Sequence, residues 1–191
     1  MPSSRLTFTP PLPDETLKAL GTEPSPLSVY LAVPSTTKFQ TILRDVLSSI
    51  DYDQTPTQTV TFLLSRGCPA GGPLMEFTKP SHLSRTHEQE LEAVVEFSVY
   101  PMHLKGQGGE TSYIDHIYGS VDAAKEVADV KVTQERLCAV LEGALHDVLD
   151  SLRRIWDYGA KYQEKDAEGN GTGEGEGHVV VQGVIRVQRA K

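Results

Sequence analysis

The chain has 191 residues, the size of one large domain or two small ones. Its 18 Lys and Arg stand against 26 Asp and Glu, a net charge of -8, and the densest basic pair, Arg153-Arg154, is flanked by Asp150 and Asp157. A nucleic-acid binder needs a clustered basic face, so that partner class is excluded. No apolar run approaches the ~20 residues of a membrane span, and the Pro-rich start holds no signal-peptide core. Cys68 and Cys138 lie far apart and fit no metal spacing, which reads as two free thiols in a soluble cytoplasmic protein.

Residues 1–26 carry many Pro, Ser and Thr and read as a flexible N-terminal arm. Within it Asp14 is placed to cap a short helix ending at Leu20-Gly21. Residues 27–66 form a β-α-β block. Leu27, Val29, Leu31 and Val33 alternate with Ser28, Tyr30 and Ala32, the period of a half-buried strand. Ser35, Thr36 and Thr37 offer N-caps to a helix whose stripe is Phe39, Ile42, Leu43, Val46 and Ile50. Val60, Phe62 and Leu64 then share one face of a strand over 59–65. Residues 67–90 are rich in Gly and Pro and read as a long connection.

The second block spans 91–191. Ala93, Val95, Phe97 and Val99 face one way on a strand that Pro101 is expected to end. The loop with Gly106, Gly108 and Gly109 leads to Thr111 or Ser112 as cap of a helix with the stripe Ile114, Ile117, Tyr118, Val121 and Ala124. Short strands follow at 130–132 and 137–141, with a turn at Glu142-Gly143. The strongest helix has Leu145, Val148, Leu149, Leu152, Ile155, Trp156 and Gly159 on one side. The acidic, Gly-rich stretch 164–177 reads as an insertion with too little apolar surface to order itself. Val179, Val181, Ile185 and Val187, with Gly183 in register, make the last strand. The order strand, helix, strand, strand, helix, strand predicts an α+β fold, a ferredoxin-like β-α-β-β-α-β sandwich. Both helices would cover one sheet face and leave the other open.

Four stretches resemble the YkoF-like and UPF0045-like thiamine-binding proteins. They are Phe97-Ser98-Val99-Tyr100-Pro101, Tyr113-Ile114-Asp115-His116-Ile117-Tyr118, Leu137 to Gly143 with His146-Asp147-Val148, and His178-Val179-Val180-Val181. The resemblance covers the C-terminal half and implies ferredoxin-like units that take thiamine or hydroxymethylpyrimidine. One position departs from it: where the family commonly has Thr after the third-strand Cys or Gly, this chain has Ala139, which supplies no hydroxyl. Family members hold two units in tandem, which makes the first block a candidate degenerate copy. Ser28-Val29-Tyr30 echoes Ser98-Val99-Tyr100.

A cationic thiazolium joined to an aminopyrimidine calls for aromatic faces and a few aimed polar groups. The candidate ligand-binding residues are Ser98, Tyr100, Tyr113, Cys138 and Glu142, with Glu142 facing the charge. No catalytic or metal site and no cofactor is expected. His103, Asp115 and His116 match no ligand motif, and Cys138 with His146 eight residues on makes no compelling nucleophile pair. The expected function is non-enzymatic binding of a small cationic or pyrimidine ligand. The alternative is an assembly or scaffold subunit that docks protein on the open sheet face. Homo-oligomers through the sheet face or edge fit either reading.

Overall fold

The computed structural model describes residues 2–20, 28–66, 90–102, 113–165, 171–176 and 178–190. The elements in chain order begin with β1 (Ser3–Thr9), α1 (Asp14–Leu20), β2 (Val29–Ala32), α2 (Thr36–Ser48) and β3 (Thr57–Arg66). They continue with β4 (Leu91–Met102), α3 (Tyr113–Ala124), β5 (Lys131–Gln134), β6 (Ala139–Ala144) and α4 (Leu145–Gly159). A hairpin, β7 (Lys161–Lys165) and β8 (Gly171–Glu176), precedes β9 (His178–Arg189). Seven strands form one antiparallel sheet in the order β2-β1-β3-β9-β4-β6-β5. The fold is α+β.

The sheet is built from two like halves. β2 and β3 run parallel, joined by α2, with β1 inserted between them. β6 and β9 run parallel, joined by α4 and the hairpin, with β4 inserted between them. The halves meet where β3 pairs with β9 over ten residues. β5 extends the second half, and among the described residues the first half has no counterpart to it. The inserted strand β1 is therefore the partner of β4. The echo of Ser98-Val99-Tyr100 in Ser28-Val29-Tyr30 aligns β4 with β2, which holds a different place in the sheet.

Side chains of one parity on each strand lie under the helices. One row runs Phe8, Val60, Ile185, Val95, Leu141 and Val132 across six strands, and all but the half-buried Val132 are buried. The next row holds Val29, Leu6, Phe62, Gly183, Phe97 and Ala139. Burial of this many large apolar groups, at about 25 cal/mol per Å² removed from water, is the main favourable term. α2 closes the layer with Phe39, Ile42, Leu43, Val46 and Leu47, and α4 with Val148, Leu149, Leu152, Ile155 and Trp156. Ser35 caps α2, its hydroxyl accepting from the Lys38 N–H at 3.1 Å.

Several expectations are corrected. Residues 3–9, read as part of a flexible arm, form an interior strand, because Leu6 and Phe8 alternate with Arg5, Thr7 and Thr9 and are buried. The helix at Asp14–Leu20 forms as expected. Pro101 does not end β4, which pairs through Met102 with His178. Glu142-Gly143 is strand rather than turn: Gly143 pairs with Ala93, and a Cβ there would lie 2.9 Å from the Asp129 carbonyl oxygen. Of the stretch 164–177, the described residues 164–165 and 171–176 lie in a two-stranded hairpin, since backbone pairing needs no apolar side chains. The connection 67–89 and the loop 103–112, with His103, lie outside the described residues.

The two halves are also tied by charge. Asp157 on α4 accepts from the Thr36 hydroxyl at 2.8 Å, from Arg66 Nη1 at 2.8 Å and from Arg153 Nη1 at 2.9 Å. Arg66 ends β3 and Thr36 opens α2, so one carboxylate joins three elements. These groups are partly exposed, so the value lies between that of a surface pair and a buried one. Asp157→Asn is expected to cost about 1–2 kcal/mol. A urea titration should show a lower midpoint with an unchanged slope. Two turns earlier, desolvation works to raise the pKa of Asp150. Hydrogen bonds from Arg153 and Arg154 outweigh it and hold the carboxyl below its ordinary range.

Candidate functional site

The C-terminal part of β4, the outer side of α3 and the turn from β5 into β6 enclose a cavity of about 380 Å³. β4 supplies Phe97, Ser98, Val99 and Tyr100. α3 supplies Ile114, Ile117, Tyr118 and Val121, and residues 134–139 close the third side. The floor is apolar because Phe97 and Val99 point to the helix layer, while Ser98 and Tyr100 point to the open sheet face. Ser98 is fixed by its bond to the Leu137 carbonyl oxygen at 2.8 Å, which pins the turn against β4.

The helix α3 sits close to α4 because of Gly119. A Cβ at that position would meet the Tyr158 hydroxyl at 2.3 Å. The Ser120 hydroxyl turns back to the His116 carbonyl oxygen at 2.8 Å, which leaves Ile117 and Val121 on the cavity side. Ile114 and Tyr118 are each 55% exposed, and Leu137 is 90% exposed. Three large apolar groups in water around one opening are a feature of binding surfaces.

Of the five candidate residues, Ser98, Tyr100 and Cys138 line this cavity. Tyr113 is the first residue of α3, one position before Ile114, and its side chain lies outside the described residues. Glu142 does not line the cavity. It pairs with Lys131 across the β5–β6 ladder and borders a separate groove of about 1070 Å³ with Arg44, Glu92, His146 and Arg186. The reason is strand length: β6 runs on to Ala144 and places Glu142 opposite Val94, away from the Ser98 end of β4. Ala139 pairs with Phe97 and lines the cavity.

Sequence reasoning missed Ile114, Tyr118, Glu135 and Arg136. Ile114 and Tyr118 were assigned to a buried stripe. Their spacing gave no signal against that, since Ile114, Ile117, Tyr118 and Val121 span about 100° of the helix, the width of one buried face. Glu135 and Arg136 sit in the turn, where no periodicity marks them.

The Cys138 Sγ donates to Glu135 Oε2 at 3.8 Å. Desolvation, then the negative charges of Glu96 and Glu135, push the thiol pKa up. A raised pKa means less thiolate at a given pH, and the thiolate is the reactive form. In a Cys68→Ser background, alkylation of Cys138 at pH 8 is expected to run several-fold slower than that of a free thiol. The rate should rise with pH, and Glu135→Gln, which removes one of the contributing charges, should speed it part of the way toward the free-thiol rate. Among the described residues no group of three His, Cys, Asp or Glu could hold a metal. No helix is long and apolar enough to cross a membrane.

The cavity walls lie within one continuous stretch of chain, and that stretch has known relatives. Residues 92–166 match the YKOF-related family. The match covers fewer than half of the 191 residues, from β4 through the hairpin strand β7. It includes every element of the cavity and stops before β9. No curated protein matches the chain. The family match fits a small-molecule-binding function for the YkoF-related segment.

Proposed function

We propose that the cavity between α3, β4 and the β5–β6 turn binds a small planar ligand, cationic or pyrimidine-like, of the thiamine and hydroxymethylpyrimidine type. The observation that carries this reading is the coincidence of the cavity with the YkoF-related segment. Its volume of about 380 Å³ falls within the ~300–1,000 Å³ of small-molecule sites. Tyr118 offers an aromatic face to a flat ring. Glu135 at the rim offers a carboxylate to a positive charge, the part the sequence reading gave to Glu142. The order β4-α3-β5-β6-α4-β9, with β9-β4-β6-β5 adjacent in the sheet, supports a ferredoxin-like unit over 91–191. The role proposed is binding; the Cys138 thiol, its pKa raised by desolvation and by Glu96 and Glu135, is a poor nucleophile. A reducing cytoplasm suits a lone thiol at the site.

Calorimetry and thermal shift with thiamine and with hydroxymethylpyrimidine test the proposal. Binding of either supports it, and no heat and no shift with both overturns it. Tyr118→Ala is expected to weaken binding about tenfold, the loss of one stacking contact of about 1–1.5 kcal/mol, with little change in melting temperature. The Tyr118 side chain is more than half exposed, so the fold does not depend on it.

A second reading is an assembly subunit that holds another protein on the open sheet face. Exposed Tyr30, Leu63, Val94, Tyr100 and Val184 favour it. A stable heteromer from lysate, together with no small-molecule binding, would select this reading.

A further inference from the structure

We propose that the free main-chain edge of β4 at Val99 reads the ligand. Its N–H and C=O would take a planar group that carries an acceptor beside a donor, as an aminopyrimidine or a carboxamide does. The inference rests on the reading of the cavity as a small-molecule site. β4 pairs with β9 along its whole length, Leu91 to Met102, but with β6 only from Glu92 to Phe97. From Ser98 on, its other side has no strand beside it among the described residues. On that side the turn between β5 and β6 bounds the cavity, and Val99 lines it.

Register decides which groups face the cavity. In an antiparallel ladder one residue directs both main-chain groups to one neighbouring strand, and the next directs both to the other. The Ala190 N–H donates to the Glu90 carbonyl oxygen at 2.8 Å, so the even residues of β4 bond to β9. The odd residues Ala93, Val95 and Phe97 therefore serve β6. Val99 is the next odd residue, and continuing the register sets it opposite Leu137. The Leu137 carbonyl oxygen instead accepts from the Ser98 hydroxyl at 2.8 Å, and among the described residues no main-chain bond joins Leu137 to Val99. Val99 is 5% exposed. Buried main-chain groups are nearly always paired, so a donor and an acceptor left open on a cavity wall are met by ligand or water.

Pro101 selects the occupant. Proline is tolerated in a sheet where its missing N–H takes no part in the ladder, and position 101 faces the same way as Val99. Of residues 98–102, only Val99 therefore turns a donor to this side. An added strand needs donors at alternate residues along the edge. One donor beside one acceptor suits instead a flat group that offers both partners on neighbouring atoms. The aminopyrimidine of thiamine and of hydroxymethylpyrimidine has such an edge. A ring bonded to Val99 extends the plane of the sheet and lies under α3, whose Ile117 and Tyr118 line the same cavity.

Amide exchange followed by NMR on the full chain, with and without thiamine or hydroxymethylpyrimidine, tests this. In the free chain the Val99 amide should exchange about tenfold faster or more than those of Val95 and Phe97, and binding should slow it by about as much. The hydroxymethylpyrimidine analogue with hydrogen in place of the amino group should bind about tenfold more weakly. Val99→Pro removes only a donor that the ladder does not use. It should weaken binding about tenfold with an unchanged circular dichroism spectrum, while Val99→Ala, which keeps the N–H, should cost roughly threefold or less. If Val99→Pro fails to fold, the exchange and analogue measurements still decide. Binding that leaves the Val99 amide unprotected, or equal affinity for the desamino analogue, overturns the inference and leaves the cavity a ligand site. No binding of either compound overturns that reading and the inference together.

Discussion

Replacing Gly183 with alanine is expected to cost at least about 3 kcal/mol and to lower the melting temperature by roughly 6–12 °C. Gly183 lies in β9 between Phe62 on β3 and Phe97 on β4, in the row facing the helices. A Cβ there would stand 2.2 Å from the Glu96 carbonyl oxygen, 2.7 Å from Phe62 Cζ and 3.0 Å from Phe97 Cα. Two of these three atoms are backbone in a paired strand and cannot swing away. Phe62 is 1% exposed, and its ring fills space that a side chain at 183 would take. A glycine inside a strand marks such a close approach. The reading is tested by a second variant. Trimming Phe62 to leucine should not rescue Gly183→Ala, because the tightest contact is with a carbonyl oxygen. Full rescue would show that the ring alone sets the cost.

The second large effect is expected at Trp156. It is 0% exposed and is the largest fully buried side chain described. Its ring meets Phe39 of α2 edge to face, with centroids 5.4 Å apart at 86°. The contact joins the helix of the first half to that of the second. Trp156→Ala should cost about 3–5 kcal/mol through lost burial and the cavity left behind. Trp156→Phe should cost far less than its loss of volume suggests. Among the described residues the buried indole Nε1 has no hydrogen-bond partner, so the wild-type chain carries a desolvation penalty that phenylalanine removes. Chemical denaturation of both variants decides the point. Equal costs for phenylalanine and alanine would mean that packing of the second ring dominates and that the unpaired N–H matters little.

Wherever apolar residues recur with one period over several turns or strand residues, the elements were legible from the sequence. α2 and α4 follow from stripes such as Phe39, Ile42, Leu43 and Val46, and β3, β4 and β9 from strict alternation. Such patterns are direct readings of burial on one face. β1 was hidden because its alternation is short and bounded by prolines, and its burial comes from β2 and β3 on either side. Chain-local signals also misplaced ends. Pro101 and Gly143 look like stops, yet pairing with β9 and β4 carries both strands through them. An internal duplication was suspected, but similar tripeptides paired the wrong strands, since equivalence rests on position in the sheet.

The site divided along the same line. Ser98, Tyr100 and Cys138 were reachable because β4 and the 137–143 segment were correctly seen as neighbours, and strand ends bring such residues together. Glu142 falls outside the cavity because β6 carries it to the position opposite Val94, a placement that only the register reveals. Ile114, Tyr118 and Glu135 needed the docking of α3 against α4, set by Gly119 beneath Tyr158. By itself the sequence determined the α+β class and the acidic character, because composition and periodicity are properties of the chain, and four of its stretches carried the resemblance to the YkoF-like proteins. Only the tertiary structure decided which strand lies beside which, that β3 and β9 fuse two halves into one sheet, and which side chains share a cavity. Those depend on contacts between residues far apart in sequence, which no local pattern encodes.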